Sequence, residues 1–421
     1  MPTNCKFIRR LKTTLLFVVV ALCLFEYALR YHGKTGSVLS IVEVLLTRSD
    51  TQWMFCSYVA IWCACFIALT FGLKDILLVG LLLIASIMYA TNYGFSFRST
   101  NAVVFLGGIT LGRGARVILE KRKSGIRNYL IGLVVLLAFS SWWHLDMTDN
   151  SYHGPRWMGL WNNPNIYGVL MGAGVILATG LLLADGRWKS EDREGNIKWK
   201  PELILKWVIK NWESAMLVIA LVMMEVGLLF SYSRGAWLGT SIGLLYLAKA
   251  YGKFKLRYVL TGIFITATVV WLFWNATPDN APWYVKRMDF GRPSAQHRVA
   301  AWSGAFQIMR DYPLGVGWNR AVQTYDKNYS PPEGGASAIT TNDYVMFGTQ
   351  LGLPALLCFI AYIYLKFKPK VTDSLHFACR AGALVLLVAF WFDGGLFHLP
   401  TAAVFWILLE LGTSDLVADK N

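Results

Sequence analysis

Twelve runs of mostly apolar residues recur along this chain, and a soluble fold of its length has no interior large enough to bury them. They lie near residues 12–29, 52–71, 75–91, 100–112, 128–145, 165–184, 213–231, 235–249, 257–275, 343–365, 377–392 and 395–412. A helix needs roughly 20 residues to cross about 30 Å of hydrocarbon, and most of these runs approach that length. Inside lipid every main-chain N–H and C=O must be bonded within the protein, so such runs are helical. The expected fold class is all-α: a polytopic membrane protein with about 12 transmembrane helices and one long, partly helical outer loop. The composition agrees, with 55% hydrophobic residues and a mean hydropathy of +0.44 over 421 residues.

The net charge of +15 does not point to nucleic acid, because the basic residues sit in short clusters between the apolar runs. With the N-terminus inside, about two-thirds of the 40 lysines and arginines fall in inner connections, so both termini are expected to be cytoplasmic. The Lys6–Lys12 cluster and the apolar run after it resemble a signal peptide. No Ala-x-Ala site follows, however, and Glu26 interrupts the run, so a retained first span is expected. Val38–Leu46 is too short to cross and reads as a re-entrant or surface helix. Six of the seven cysteines lie in apolar runs and no disulfide is expected. The chain divides into N-terminal spans (1–150), a central region (151–365) with the outer loop 276–342, and C-terminal spans with a cytoplasmic tail (366–421).

Four polar features share the outer side: the loop 146–163, the turn Ser231–Gly239, the loop 276–342 and the turn at Asp393-Gly394-Gly395. In the second of these, Arg234 stands between two apolar runs. An arginine inside a bilayer costs roughly 2.5–3.5 kcal/mol or more, so it is expected at a membrane face, bound to something negative. An arginine capping a hairpin and reaching lipid phosphates would read the same way. In the long loop, Pro293-Ser294 opens a helix with Ser294 as its cap. Val299, Trp302, Phe306 and Met309 then recur at helical spacing, with Arg298 one turn before Trp302 and Arg310-Asp311-Tyr312-Pro313 closing it. Asn163-Pro164-Asn165 both caps a span and offers side chains suited to sugar hydroxyls. Glu225, an acid within a run, is expected in a structural salt bridge.

Together these motifs resemble the O-antigen ligase and O-antigen polymerase superfamily. The resemblance rests on Ser233-Arg234-Gly235-Ala236-Trp237-Leu238-Gly239, Arg298-x3-Trp302, Asp311-x-Pro313-Leu314-Gly315-Val316-Gly317, and Asn342-Asp343-Tyr344 running into Gly352-Leu353, with Asn163-Pro164-Asn165 ahead of a span. It covers residues 160–365 in order, and the first five runs match only in being hydrophobic. It implies a bacterial inner-membrane glycosyltransferase of many passes whose active site faces the periplasm. Such an enzyme moves a glycan from an undecaprenyl diphosphate carrier to a sugar of the lipid A core or to another glycan. It also implies catalysis without a metal or other cofactor. This sequence has no Asp-x-Asp pair and only scattered histidines.

Breaking the bond from sugar C1 to phosphate without a metal requires fixed cations, and the arginine fork holds phosphate bidentately. Arg234 and Arg298 occupy the family's arginine positions and are the expected diphosphate clamp. Arg287 and Arg292 read as solvated surface. The ligases carry a histidine directly before the Asn-x-Tyr element, where this chain has Thr341. Asp343 is the first candidate to replace it as proton acceptor, ahead of His297 and His398. Asn163, Asn165, Trp302, Asn342, Tyr344 and His297 are the expected substrate contacts. Missing the histidine, the chain fits a ligase acting in surface-polysaccharide assembly, a polymerase being the alternative. A twelve-helix transporter with Arg234 and Glu225 on its path is the alternative from another class; the absence of a clear repeat between the halves speaks against it.

Overall fold

The computed structural model describes residues 76–93, 100–119, 123–142, 156–161, 163–185, 189–191, 197–199, 212–250, 293–330, 336–371, 373–392 and 394–413. The expected spans 12–29, 52–71 and 257–275 lie outside them, as do residues 38–46, Asn162, Arg287, Arg292 and Asp393. The described helices are α1 (Ile76–Tyr93), α2 (Thr100–Leu119), α3 (Lys123–Trp142), α4 (Pro164–Asp185), α5 (Trp212–Ser231), α6 (Arg234–Ala250), α7 (Pro293–Asp311), α8 (Ala321–Asn328), α9 (Asp343–Phe367), α10 (Ser374–Ala389) and α11 (Leu399–Leu411). Short 3-10 turns occupy Gly159–Trp161 and Ala336–Thr341.

Among the described residues, five helical stretches are long and apolar enough to cross a membrane: Asn101–Leu119, Gly125–Trp142, Pro164–Ala184, Trp212–Ser231 and Asp343–Phe367. Helices also occupy the other four expected positions within reach, as α1, α6, α10 and α11. Two departures from the sequence reading are physical. The helix at 100–112 continues to Leu119, because Arg113 and Arg116 are bonded inside the protein and need not end it. The connection after α4 holds a small antiparallel hairpin, β1 (Lys189–Glu191) with β2 (Ile197–Trp199), a minor exception to an all-α fold.

The chain forms two compact units. The first gathers residues up to 122 with 297–369 and 394–411; the second gathers 123–296, 370–393 and 412–421. In the second unit α4 is the buried centre, packed by α3, α5, α6 and α10. Its Gly168 admits the Ser231 and Ser233 side chains where a Cβ would overlap them. The outward faces of α3 and α5 are apolar, with Leu136, Phe139, Ile219, Val222 and Leu229 exposed, as lipid-facing helices require. Glu225 is exposed on α5 and enters no ion pair among the described residues; the acid paired on that helix is Glu213, 2.7 Å from Arg127.

In the first unit α2 packs on α11 and α1 on α9, around an aromatic cluster of Phe105, Phe347, Phe359, Phe405 and Trp406. Glu410 is buried near the end of α11 and accepts from Arg113 at 3.2 Å, Arg116 at 3.3 Å, Lys366 at 3.0 Å and the Tyr362 hydroxyl. A carboxylate stripped of water is tolerated when its lone pairs are filled in this way.

α9 is broken. At Gly352 (φ 87°, ψ 170°) the main chain leaves the helix, and Pro354 follows. Proline has no N–H to give to the Gln350 carbonyl, so the break would leave carbonyls unbonded within a span. The segment 313–317 supplies what is missing. Val316 N–H donates to Thr349 O at 2.9 Å, Gly317 N–H to Gln350 O at 2.8 Å, and Leu353 N–H to Pro313 O at 2.9 Å. Gly315 (φ 89°) lies against Gly352, which allows the two main chains to approach this closely. The motif Pro313-Leu314-Gly315-Val316-Gly317 and the pair Gly352-Leu353 are thus the two sides of one clasp.

Candidate active site

In the second unit, α5 turns into α6 through Tyr232, which has a left-handed φ of 50°. Ser233 then caps α6: its hydroxyl accepts from Ala236 N–H at 3.2 Å and its carbonyl from Trp237 N–H at 3.0 Å. Arg234 is consequently the first residue of α6, with an exposed side chain. A helix N-terminus carries partial positive charge, so this end of α6 adds to the guanidinium's attraction for an anion.

The turn is fixed from behind by Arg156, which is 2% exposed. Its Nε donates to the Ser231 carbonyl at 2.7 Å and its Nη2 to Asn165 Oδ1 at 2.7 Å. Asn163 caps α4, its Oδ1 accepting from Asn165 N–H at 2.8 Å, and Pro164 takes the first helical position, where a missing N–H costs nothing. Trp157 ties the same loop to the turn, donating N–H to Phe230 O at 3.0 Å and stacking on the Phe230 ring at 4.6 Å. Asn163 and Asn165, expected as sugar contacts, are engaged in this scaffold. No local sequence pattern marks Arg156 for this role, since the carbonyl it holds, that of Ser231, is 75 positions away.

α7 begins at Pro293, so Ser294 lies within the first turn and is not its cap, and the helix belongs to the first unit from His297 onward. His297 and Arg298 follow on α7, with Arg298 and Trp302 partly buried. Trp302 packs on a core of Ala301, Ala305, Ile308, Tyr325, Ile339 and Val345. At the far end of the helix, Asp311 accepts from the Tyr329 hydroxyl at 2.8 Å and from Arg310 Nε at 3.0 Å. The Tyr329 hydroxyl, and after it Arg310, holds the Asp311 carboxyl below its ordinary value; what that bond contributes is present above the ordinary carboxylate pKa and is lost as pH falls.

Asn342 is fully buried and caps α9, its Oδ1 accepting from Val345 N–H at 3.1 Å. Asp343, 2% exposed, has its carboxylate held by main-chain N–H groups of the next connection, Leu396 at 2.7 Å and Gly395. Thr341 ends the 3-10 turn just before, and the Tyr344 ring lies 6.4 Å from Phe359. Within this unit the structure gathers Asn342, Asp343, Tyr344 and the 394–396 turn at one end of α9. His398 precedes α11 and accepts from Ala402 N–H through its carbonyl.

A family model described as O-antigen ligase matches residues 218–360, from within α5 to the second half of α9. No curated protein and no solved structure matches the chain. The matched stretch holds Arg234, Arg298 and Asp343 together with both sides of the Gly315–Gly352 clasp. Over residues 218–360 the chain is therefore similar to the O-antigen ligase family.

Proposed function

We propose that this protein is a membrane glycosyltransferase that moves a glycan from an undecaprenyl diphosphate carrier to a hydroxyl of an acceptor glycan on the periplasmic face of the inner membrane. The bond from the glycan's C1 to the phosphate oxygen breaks, and the diphosphate leaves with the electron pair. The acceptor oxygen bonds to C1, and its proton passes to a carboxylate. Arg234 and Arg298 are the cations that meet the growing negative charge, without a metal or other cofactor. Asp343 is the proton acceptor, oriented by the amides of 395 and 396. Trp302, Tyr344 and His297 contact the sugars; Asn163, Asn165 and Asn342 act through the helix ends they cap or hold.

The observation that carries this reading is Arg234 itself. It is exposed at the first position of a helix, between apolar helices, on a turn clamped by the buried Arg156 within a stretch that matches the O-antigen ligase model. The loss of the ligase histidine at Thr341 favours polysaccharide or exopolysaccharide assembly over transfer to the lipid A core.

The test is made in cells lacking this chain. Carrier-linked glycan should accumulate there and should be cleared by the wild-type protein and by Gln307→Lys, a change on an exposed position of α7. Arg298→Lys should clear it at least about tenfold more slowly, because a point charge replaces a bidentate fork. Clearance by Arg298→Lys at the wild-type rate would remove Arg298 from the mechanism.

A further inference from the structure

We infer that the segment 312–317 is sunk into the bilayer as a re-entrant loop, and that lipid acyl chains cover its apolar side chains together with the outward face of the second half of α9. The argument begins with depth. The clasp attaches Pro313–Gly317 to Thr349–Leu353, in the interior of the 25-residue helix α9. Beyond the break, residues 353–367 extend about 22 Å at roughly 1.5 Å per residue. That falls short of the approximately 30 Å of a hydrocarbon core, so the break and the segment bonded to it lie within hydrocarbon.

The bonding suits such a place. Gly315 N–H donates to Tyr312 O at 2.8 Å, and Val316 and Gly317 donate to the carbonyls freed by the break, so these donors need no water. The surface suits it too. Leu314 is 64% exposed and Tyr312 is also exposed, although both lie at this level. Leu314 is continuous through Gly352 with Leu353, Leu357, Ile360 and Tyr364, an exposed apolar stripe at helical spacing on a candidate span. A stripe on a membrane span faces acyl chains, and Leu314 extends it.

The experiment places a diazirine-bearing leucine analogue at position 314 of the full-length protein, in vesicles of phosphatidylethanolamine and phosphatidylglycerol, and reads the photo-adducts by mass spectrometry. The same analogue at 357 marks a lipid-facing position and at 307 an exposed polar one. The lipid adduct at 314 is expected within about twofold of that at 357 and at least about fivefold above that at 307. Adducts at 314 no more frequent than at 307 would overturn the inference, as would cross-links joining 314 to a second copy of the chain.

Discussion

Replacing Arg234 by alanine is expected to slow glycan transfer by about 10²–10³-fold, the usual effect of removing one fixed group that stabilises transition-state charge. Arg234→Lys should recover only part of that loss. Lysine keeps the charge but offers a compact ammonium where arginine offers a planar pair of donors matched to phosphate oxygens. Neither change should lower the amount of folded protein, because the side chain is exposed and the turn beneath it is held by Ser231, Ser233 and Arg156. Initial rates with carrier-linked glycan, alongside thermal unfolding in detergent, separate the two effects. A topological anchor would tolerate lysine at full rate.

A second large effect is expected at the break in α9. Alanine at Gly352 would sit at φ 87° and ψ 170°, a region nearly closed to residues with a side chain, at about 1–3 kcal/mol. Its Cβ would also stand 2.7 Å from Leu314 Cα and close to the Pro313 carbonyl. The 313–317 segment can withdraw only by losing its three bonds to α9, each worth about 1 kcal/mol or more when the partners stay buried. Gly352→Ala should therefore destabilise the protein by roughly 4–6 kcal/mol, read as a lower unfolding midpoint in detergent. Gly132→Ala is the control: a Cβ there meets nothing within 4 Å, and the change should be neutral or stabilising by about 0.5–1 kcal/mol. Equal midpoints for the two variants would contradict the clasp.

The helices were readable from sequence wherever a long apolar run stood alone, as at α4 and α5, because hydrocarbon leaves the chain no other conformation. The loop helix α7 was readable from Pro293 and the spacing of Val299, Trp302, Phe306 and Met309; its cap was misplaced because proline itself takes the first helical position. Arg113 and Arg116 read as loop residues because charge normally ends a span. Their partner Glu410 lies 297 and 294 positions away, beyond any local pattern. The broken helix did leave a signal, Pro354 within an apolar run, but its meaning depends on a distant segment able to take the freed carbonyls. The candidate site divides the same way. Arg234 was visible because an arginine between apolar runs needs a reason, whereas Arg156 gave no hint of its burial behind that turn.

The most direct trial of the proposed chemistry uses the purified protein in nanodiscs with an undecaprenyl-diphosphate-linked glycan, an acceptor glycan and a metal chelator. We expect free undecaprenyl diphosphate to appear in step with extended or ligated glycan, at the same rate with and without the chelator, and to fall at least about tenfold in Arg234→Lys. Release that stops when the chelator is added, or that proceeds undiminished in Arg234→Lys, would contradict a leaving diphosphate stabilised by arginine.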